Sequence, residues 1–206
     1  MYRLPAAAIA AALLIASPAI VFADTYIVDP VHSTANFAVV HLGLSRVHGM
    51  IPFTSASADL PPGADVPTAV SADLQIAGIK TNNDDRDSDL RSHAWFDVTT
   101  YPKMSFTSTK ISKGSDPTSF TVEGLLTMHG VTKPISFAGH LDGKTRDGKG
   151  NQRIGYTLTG KLDRRDWNVN FEGSIPGGNL VVGNDIDIVV EIEAVKTPAA
   201  GHHEAQ

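Results

Sequence analysis

Cysteine is absent from all 206 residues of the chain. That absence excludes a disulfide-stapled scaffold, a thiol nucleophile and thiolate-ligated zinc together. Charge is also sparse. Asp, Glu, Lys and Arg make up 19% of the chain, with 22 acids against 17 Lys+Arg and a formal net charge of -5. A general nucleic-acid binder needs a net positive surface to displace counterions from phosphate, and this balance runs the other way. Hydrophobic residues, at 42%, are too many for a disordered polyampholyte, and their distribution does not fit a multi-span membrane protein. The chain shows no internal repeat and no second domain, while its length permits a sizeable core.

The first segment has a short leading region followed by an apolar run. Residues 1–23 read MYRLPAAAIAAALLIASPAIVFA, with Arg3 in a short leading region and Val21-Phe22-Ala23 at the end. Small residues fall at the two positions that a signal peptidase inspects. Pro5 and Pro18 break the run, and no Lys/Arg cluster follows to stop transfer. A secretory signal cut before Asp24 is therefore expected, in preference to a membrane anchor. The expected location is the periplasm, and the mature chain is expected to carry no integral membrane span. Residues 24–197 are expected to form one folded unit. The small, polar tail over 198–206 is expected to be disordered.

From residue 25 onward the dominant pattern is period-two alternation, the mark of strands with one buried face. Val66, Thr68, Val70, Ala72, Leu74 and Ile76 share a face. They read as one strand from Val66 to Gly78, roughly 40 Å at ~3.3 Å per residue. Met104, Phe106 and Ser108 alternate next, then Phe120, Val122, Gly124, Leu126 and Met128. Val131, Lys133, Ile135, Phe137, Gly139 and Leu141 follow a turn at His129-Gly130. Ile154 to Leu162 and Ile186 to Ala194 repeat the pattern. With Ala35-Phe37-Val39 and Ile51-Phe53 upstream, eight strands are expected. Pro61-Pro62-Gly63, Gly114-Ser115-Asp116-Pro117 and Asp147-Gly148-Lys149-Gly150-Asn151 supply the turn chemistry between them. Eight antiparallel strands with one apolar face each can close into a barrel or stack as a sandwich. Even spacing favours the barrel.

One stretch departs from alternation. Asn82-Asn83-Asp84-Asp85-Arg86-Asp87-Ser88-Asp89-Leu90-Arg91 offers an Asn cap, acids in the first turn and a later basic residue, and predicts a short helix near 83–92. The stretch from Asp166 to Gly183 reads as loop, with apolar Trp167, Val169, Phe171 and Ile175 interspersed.

Motifs for chemistry are weak. Asp85-x-Asp87-x-Asp89 resembles the start of a calcium loop, but Leu90 and Phe96 stand where the pattern needs Gly and Glu. Gly143-Lys144-Thr145 imitates a phosphate-binding loop but has Ala138 at the leading Gly position and no following helix. His32, His41, His48, His93, His129 and His140 are scattered, and His202 and His203 fall in the tail, so no metal site is expected. No GxSxG elbow exists, and Ser33 beside His32 is only a sequence neighbour. The distinctive feature is the apolar face, where Phe37, Phe53, Phe106, Phe137 and Tyr156 mix with Ala72, Gly124, Gly139 and Gly160. Such a face can be a filled core. Small inward residues can also leave a hollow.

Several blocks, taken in order, resemble the YceI-like family of polyisoprenoid-binding periplasmic proteins. They begin with Asp29-Pro30-Val31-His32-Ser33, Val40-His41-Leu42-Gly43 and Arg86-Asp87-x-x-Leu90. Trp95-Phe96-Asp97-Val98 with Tyr101-Pro102 continues the match. The most specific block is Leu126-Thr127-Met128-His129-Gly130-Val131-Thr132-Lys133-Pro134, followed by Arg165-Asp166 and Val182-Gly183-Asn184-Asp185. The resemblance spans roughly 25–196. It implies an all-β, lipocalin-like, elongated eight-stranded antiparallel barrel holding a long isoprenoid chain, either polyprenyl or ubiquinone-type. The family often has His at the position of Asp89 and Phe at that of Trp167.

The residues then expected to contact the lipid are Phe37, Ile51, Phe53, Leu74, Ile76, Phe106, Val122, Leu126, Phe137, Tyr156, Leu158 and Ile188. No catalytic residue and no metal ligand is expected. The expected ligand is an isoprenoid lipid or quinone, with no other cofactor and no nucleic acid; a homodimer is left open. The expected function is that of a lipid-binding carrier rather than an enzyme. Competing readings are an enzyme acting on an isoprenoid or small amphiphile at the barrel mouth, and a stress-related interaction module with a filled barrel. His32, His129 and the Arg86/Asp87 pair are candidates for either a structural or a functional role.

Overall fold

A computed structural model of the chain describes residues 23–198 except 172, 175 and 177–179. The expected signal at 1–23 and tail at 198–206 lie outside the described residues, save for Ala23 and Pro198. Ten strand segments run β1 (Asp24–Val28), β2 (Thr34–His41), β3 (Ser45–Ile51), β4 (Phe53–Leu60), β5 (Ala69–Gln75), β6 (Lys103–Lys113), β7 (Ser119–Met128), β8 (Val131–Arg146), β9 (Gln152–Asp163) and β10 (Val182–Lys196). One helix, α1 (Asp84–Arg91), lies between β5 and β6.

The strands close into an eight-stranded antiparallel barrel in the order β1-β4-β5-β6-β7-β8-β9-β10, with β10 pairing back onto β1. β2 and β3 prolong β1 and β4 beyond short breaks, so ten segments form eight ribbons. At the first break, Asp29 to Ser33, the chain leaves the ladder. The Glu193 carbonyl still accepts from the Asp29 amide (2.8 Å) and also from the Ser33 hydroxyl (3.1 Å), which in turn accepts from the Glu193 amide (2.9 Å) in place of a ladder carbonyl. The second break is Pro52, which has no N–H to donate. Beyond it β3 pairs with β2, and its other edge carries one bridge, Met50 to Lys80.

The run expected as one strand from Val66 to Gly78 is shorter. β5 covers Ala69–Gln75, and Ile76–Gly78 turns into a single 3-10 turn closed by Ile79. Thr68, on the expected inward face, is exposed and bonds the Asp59 carbonyl. The other alternations hold. Phe120, Val122, Leu126 and Met128 are buried along β7, and Ile135, Phe137 and Leu141 along β8. The two-residue turn His129-Gly130 has positive φ at both positions (49 and 74), the geometry whose twist matches the flanking strands.

The helix forms where its signals fall. Asn83 is extended (φ -154), and its side chain accepts from the Arg86 amide at 2.8 Å. Asp84, Asp85 and Asp87 fill the first turn and Arg91 the last, complementing the helix dipole. Because strands alternate in direction, one end of the barrel gathers the β2–β3 turn, α1 with residues 92–102, the His129-Gly130 turn, residues 164–171 after β9 and residues 180–181 before β10. The opposite end gathers the β4–β5 loop and the Asp147–Asn151 turn. That end is closed: Tyr156 donates its hydroxyl to the Asp65 carbonyl (2.8 Å), and Lys144 reaches the Ala64 carbonyl (2.5 Å) and the Asp65 carboxylate (2.6 Å).

Candidate ligand-binding cavity

The inner face of the barrel is not filled. It encloses a cavity of about 380 Å³, lined by side chains from every ribbon and by Leu90, Trp95 and Phe96 from the helical insertion. Eleven of the twelve residues expected to contact a ligand line it; the exception is Ile76. Ile76 is fully buried, but as the first residue of the 3-10 turn, where its amide bonds the Pro102 carbonyl and it does not border the cavity. Its place in the alternation is formal, because the strand gives way to the 3-10 turn at this residue.

The glycines do not create the hollow in the way the sequence suggests. Phe37 and Gly49, Phe120 and Gly139, and Phe137 and Gly160 are direct cross-strand partners, and Phe106 is a diagonal neighbour of Gly124. In each case the ring lies across the glycine: a Cβ there would come within 2.3 to 2.6 Å of ring carbon. The space left by each missing side chain is taken by an aromatic ring laid along the wall. Width is gained by flattening rings, since a Phe standing upright would fill the centre. Edge-to-face contacts between Phe106 and Phe137 (5.6 Å) and between Phe120 and Tyr156 (5.5 Å) lock the rings together.

The two ends of the cavity differ in exposure. Tyr26, Val28, Phe120, Val122, Tyr156 and Ala194 are all under 9% exposed at the closed end. Toward the helix end, lining residues His41, Val47, Arg86, Leu90, Trp95 and Val182 are half-buried and Asp89 is exposed. The mouth therefore lies between the β2–β3 ribbon, α1 and the start of β10.

Several lining polar groups are bound to the fold. Arg86 donates through Nε to the Thr81 hydroxyl (2.8 Å) and through Nη2 to the Thr81 carbonyl (2.6 Å). Asp87, fully buried, accepts from the Thr81 amide (2.8 Å) and hydroxyl (2.6 Å). These bonds, chiefly the hydroxyl's, hold the Asp87 carboxyl below the ordinary range despite burial. Arg86 and Asp87 are thus joined through Thr81 rather than paired directly, and Asp87 is buried although it lies in an acidic helix start. Arg164, 4% exposed, donates to the carbonyls of Val169 (2.6 Å), Phe171 (3.0 Å), Gly183 (3.0 Å) and Val182 (3.3 Å), and to the Asn184 side chain (2.9 Å). Burial lowers its pKa, and among the described residues no carboxylate bonds it. Its guanidinium also sits 5.8 Å from the Trp95 ring, which stacks on Phe171 at 4.7 Å. Trp167, at the position where the family often has Phe, is buried and donates its indole N–H to the Leu126 carbonyl (2.9 Å).

Asp29, His32 and Glu193 come together on the outer wall, within 4.8 Å of one another. Sequence reasoning missed this cluster because Glu193 is remote in the chain. Arg153 occupies its centre, donating to Asp29 (2.8 Å), Glu193 (2.5 Å) and Asp147 (3.1 Å). A metal ion would have to displace a guanidinium held by three carboxylates, so this donor set fits a structural clasp. Arg153, and then His32, bring the Asp29 carboxyl down to about 2. His129 stacks edge-on against Tyr101 (4.7 Å) and bonds the Trp167 carbonyl (3.3 Å), a role in holding the turn.

Leu90, Trp95, Phe96 and Val169 were not foreseen as lining, because they lie outside any alternating segment. The signals they offered were being large and apolar within polar surroundings and, for Leu90, Trp95 and Phe96, standing in blocks that carry the family resemblance.

Comparison with known proteins agrees with this architecture. The YceI-like domain matches residues 26–194. A UPF0312 protein of Pseudomonas putida is 31% identical over 165 residues, covering 80% of this chain and 82% of that protein. The crystal structure of the Campylobacter jejuni YceI protein superposes with a TM-score of 0.64 at 29% identity, covering 77% of this chain and 90% of the other. A domain from Saccharophagus degradans, described as polyisoprenoid binding, shares the fold at a TM-score of 0.59 and 14% identity, covering 84% and 98%.

Proposed function

The chain belongs to the YceI-like family, and on that premise we propose that it binds a long isoprenoid lipid, polyprenyl or quinone, inside its barrel and acts as a periplasmic carrier. The observation that carries this reading is the cavity itself: one hollow runs from Tyr26 and Tyr156 at the closed end to Trp95 and Val182 at the mouth, walled almost wholly by carbon. A dry apolar tunnel suits branched hydrocarbon, whose transfer from water gains ~0.8 kcal/mol per buried methylene-sized unit. The description of the Saccharophagus domain supports the same ligand class. Holding is favoured over turnover because Arg164, Thr81 and Arg86 already bond the fold where they reach the lining. The tail supplies affinity; the polar groups at the mouth supply discrimination.

A titration with polyprenyl or quinone lipids of increasing length tests this. Affinity should rise with each isoprene unit until the cavity is full, and should depend weakly on salt, because buried hydrocarbon carries no charge to screen. Native mass spectrometry after gentle purification should show a co-purified lipid. Affinity flat with length, or a lipid that emerges chemically altered, overturns the carrier reading in favour of an enzyme.

A further inference from the structure

We propose that the tip of the β2–β3 turn, with the residues leading into β10, is the face that docks on a phospholipid bilayer while lipid passes through the mouth. The proposal rests on the carrier reading for its purpose, but its observations are separate. Leu44, 86% exposed, is the most exposed large apolar residue among the described residues, and Leu180 is 39% exposed. The two segments adjoin: the Leu42 amide donates to the Val181 carbonyl at 2.9 Å, and His41 pairs with Val182 across the ladder.

His41 and Val182 line the cavity, so the apolar tip is the outward continuation of the cavity wall. Leu42 adds to the case. It takes a left-handed conformation (φ 55) in a turn where Asn or Gly would sit at less cost, so the turn carries leucine against its own chemistry. Charge there is partly offset, because Arg46 and Lys161 nearby share the carboxylate of Asp187. An insoluble chain leaving a bilayer for an apolar tunnel avoids water only if the rim is itself immersed at the apolar boundary. Exposed leucine at the β2–β3 side of the mouth, beside His41 and Val182, meets that need. Val31, 83% exposed, provides a contrast: it stands at the first strand break beside the Arg153 cluster, with charged neighbours and away from the mouth.

The experiment is flotation of the purified protein with phosphatidylcholine vesicles, comparing wild type, Leu44→Asp and Val31→Asp. Wild type should float. Leu44→Asp should lower the partition coefficient about tenfold, the scale of losing one buried leucine. Val31→Asp should match wild type, and all three should melt at the same temperature. Wild type that stays in solution, or equal flotation of the Leu44 variant, overturns the proposal. So does a wild-type dimer that Leu44→Asp converts to monomer, which would assign the tip to a second copy of the chain. Uptake of an isoprenoid from detergent micelles, measured alongside, separates the two readings. Uptake without Leu44-dependent flotation removes the docking face and leaves the carrier. Leu44-dependent flotation without uptake does the reverse.

Discussion

The ring of Phe37 lies across Gly49, its direct partner on the neighbouring strand, so closely that a Cβ on Gly49 would stand 2.3 Å from the ring's Cζ and 2.8 Å from the Thr81 methyl. Gly49 is therefore part of the cavity wall even though it contributes no side chain. Gly49→Ala should cost about 1–3 kcal/mol of stability, the range for overpacking. The displaced ring can turn only into the cavity. The variant should then prefer a shorter lipid than wild type, checked by the same length series; Phe37→Leu in the same chain should restore much of both.

Leu74 lies on the wall and Ile76 does not, which separates two neighbours on one face of the sequence pattern. Leu74→Trp should shorten the preferred chain without changing head-group preference. Ile76→Trp should instead destabilise the fold, by at least about 2 kcal/mol for overfilling a fully packed site. Chemical denaturation and ligand titration on the pair distinguish these outcomes.

Acid should weaken the Arg153 clasp in a defined window. The Asp29 carboxyl titrates at about 2 in the folded chain, below its ordinary value of 3.8. Its contribution is thus complete above pH ~4 and is lost as pH falls through about 2. Asp29→Asn should cost about 1.5–3 kcal/mol at neutral pH, the scale of a bond to a charged group. The gap in urea midpoint between the two proteins should narrow as pH falls from 4 to 2. A constant gap would show that Asp29 holds the strand break by other means.

Arg164 should matter for the loop after β9 more than for the barrel. Arg164→Met strands four backbone carbonyls, and should cost about 3 kcal/mol or more, since each bond to a charged donor is worth roughly 1.5–3 kcal/mol. Limited proteolysis should cut between residues 168 and 181 faster than in wild type. Arg164→Lys, which keeps the charge but has fewer donors, should fall between them.

The inward and outward faces of the barrel were legible because a half-buried strand writes its environment every second residue. Phe120, Val122, Leu126, Tyr156 and Leu158 are inward as the alternation indicates. The helix was legible from Asn83 and its acids, since capping is a local interaction. Alternation could not show where strands stop: Ile76 keeps the pattern after the chain has entered a 3-10 turn. Nor could it show the bulge between Ser108 and Lys110, where one extra residue moves the inward position to Ile111. β1 was missed, being five residues long and cut off by Asp29-Pro30. Buried Asp87 and Arg164 were illegible for a different reason. Each sits in a highly charged stretch that reads as surface, and only distant partners such as Thr81 or Gly183 make burial tolerable.

The ring is shut by its two ends, Tyr26 meeting Lys196 and Val28 meeting Ala194. The contact that creates an enclosed space is thus among the longest in sequence that the chain can make, and such pairings form late and slowly. During synthesis, every ribbon but one can be complete while no interior yet exists, and the edges of β1 and β9 stand open to other strands. A chain truncated before β10 should therefore fail as an aggregate rather than as a leaky vessel.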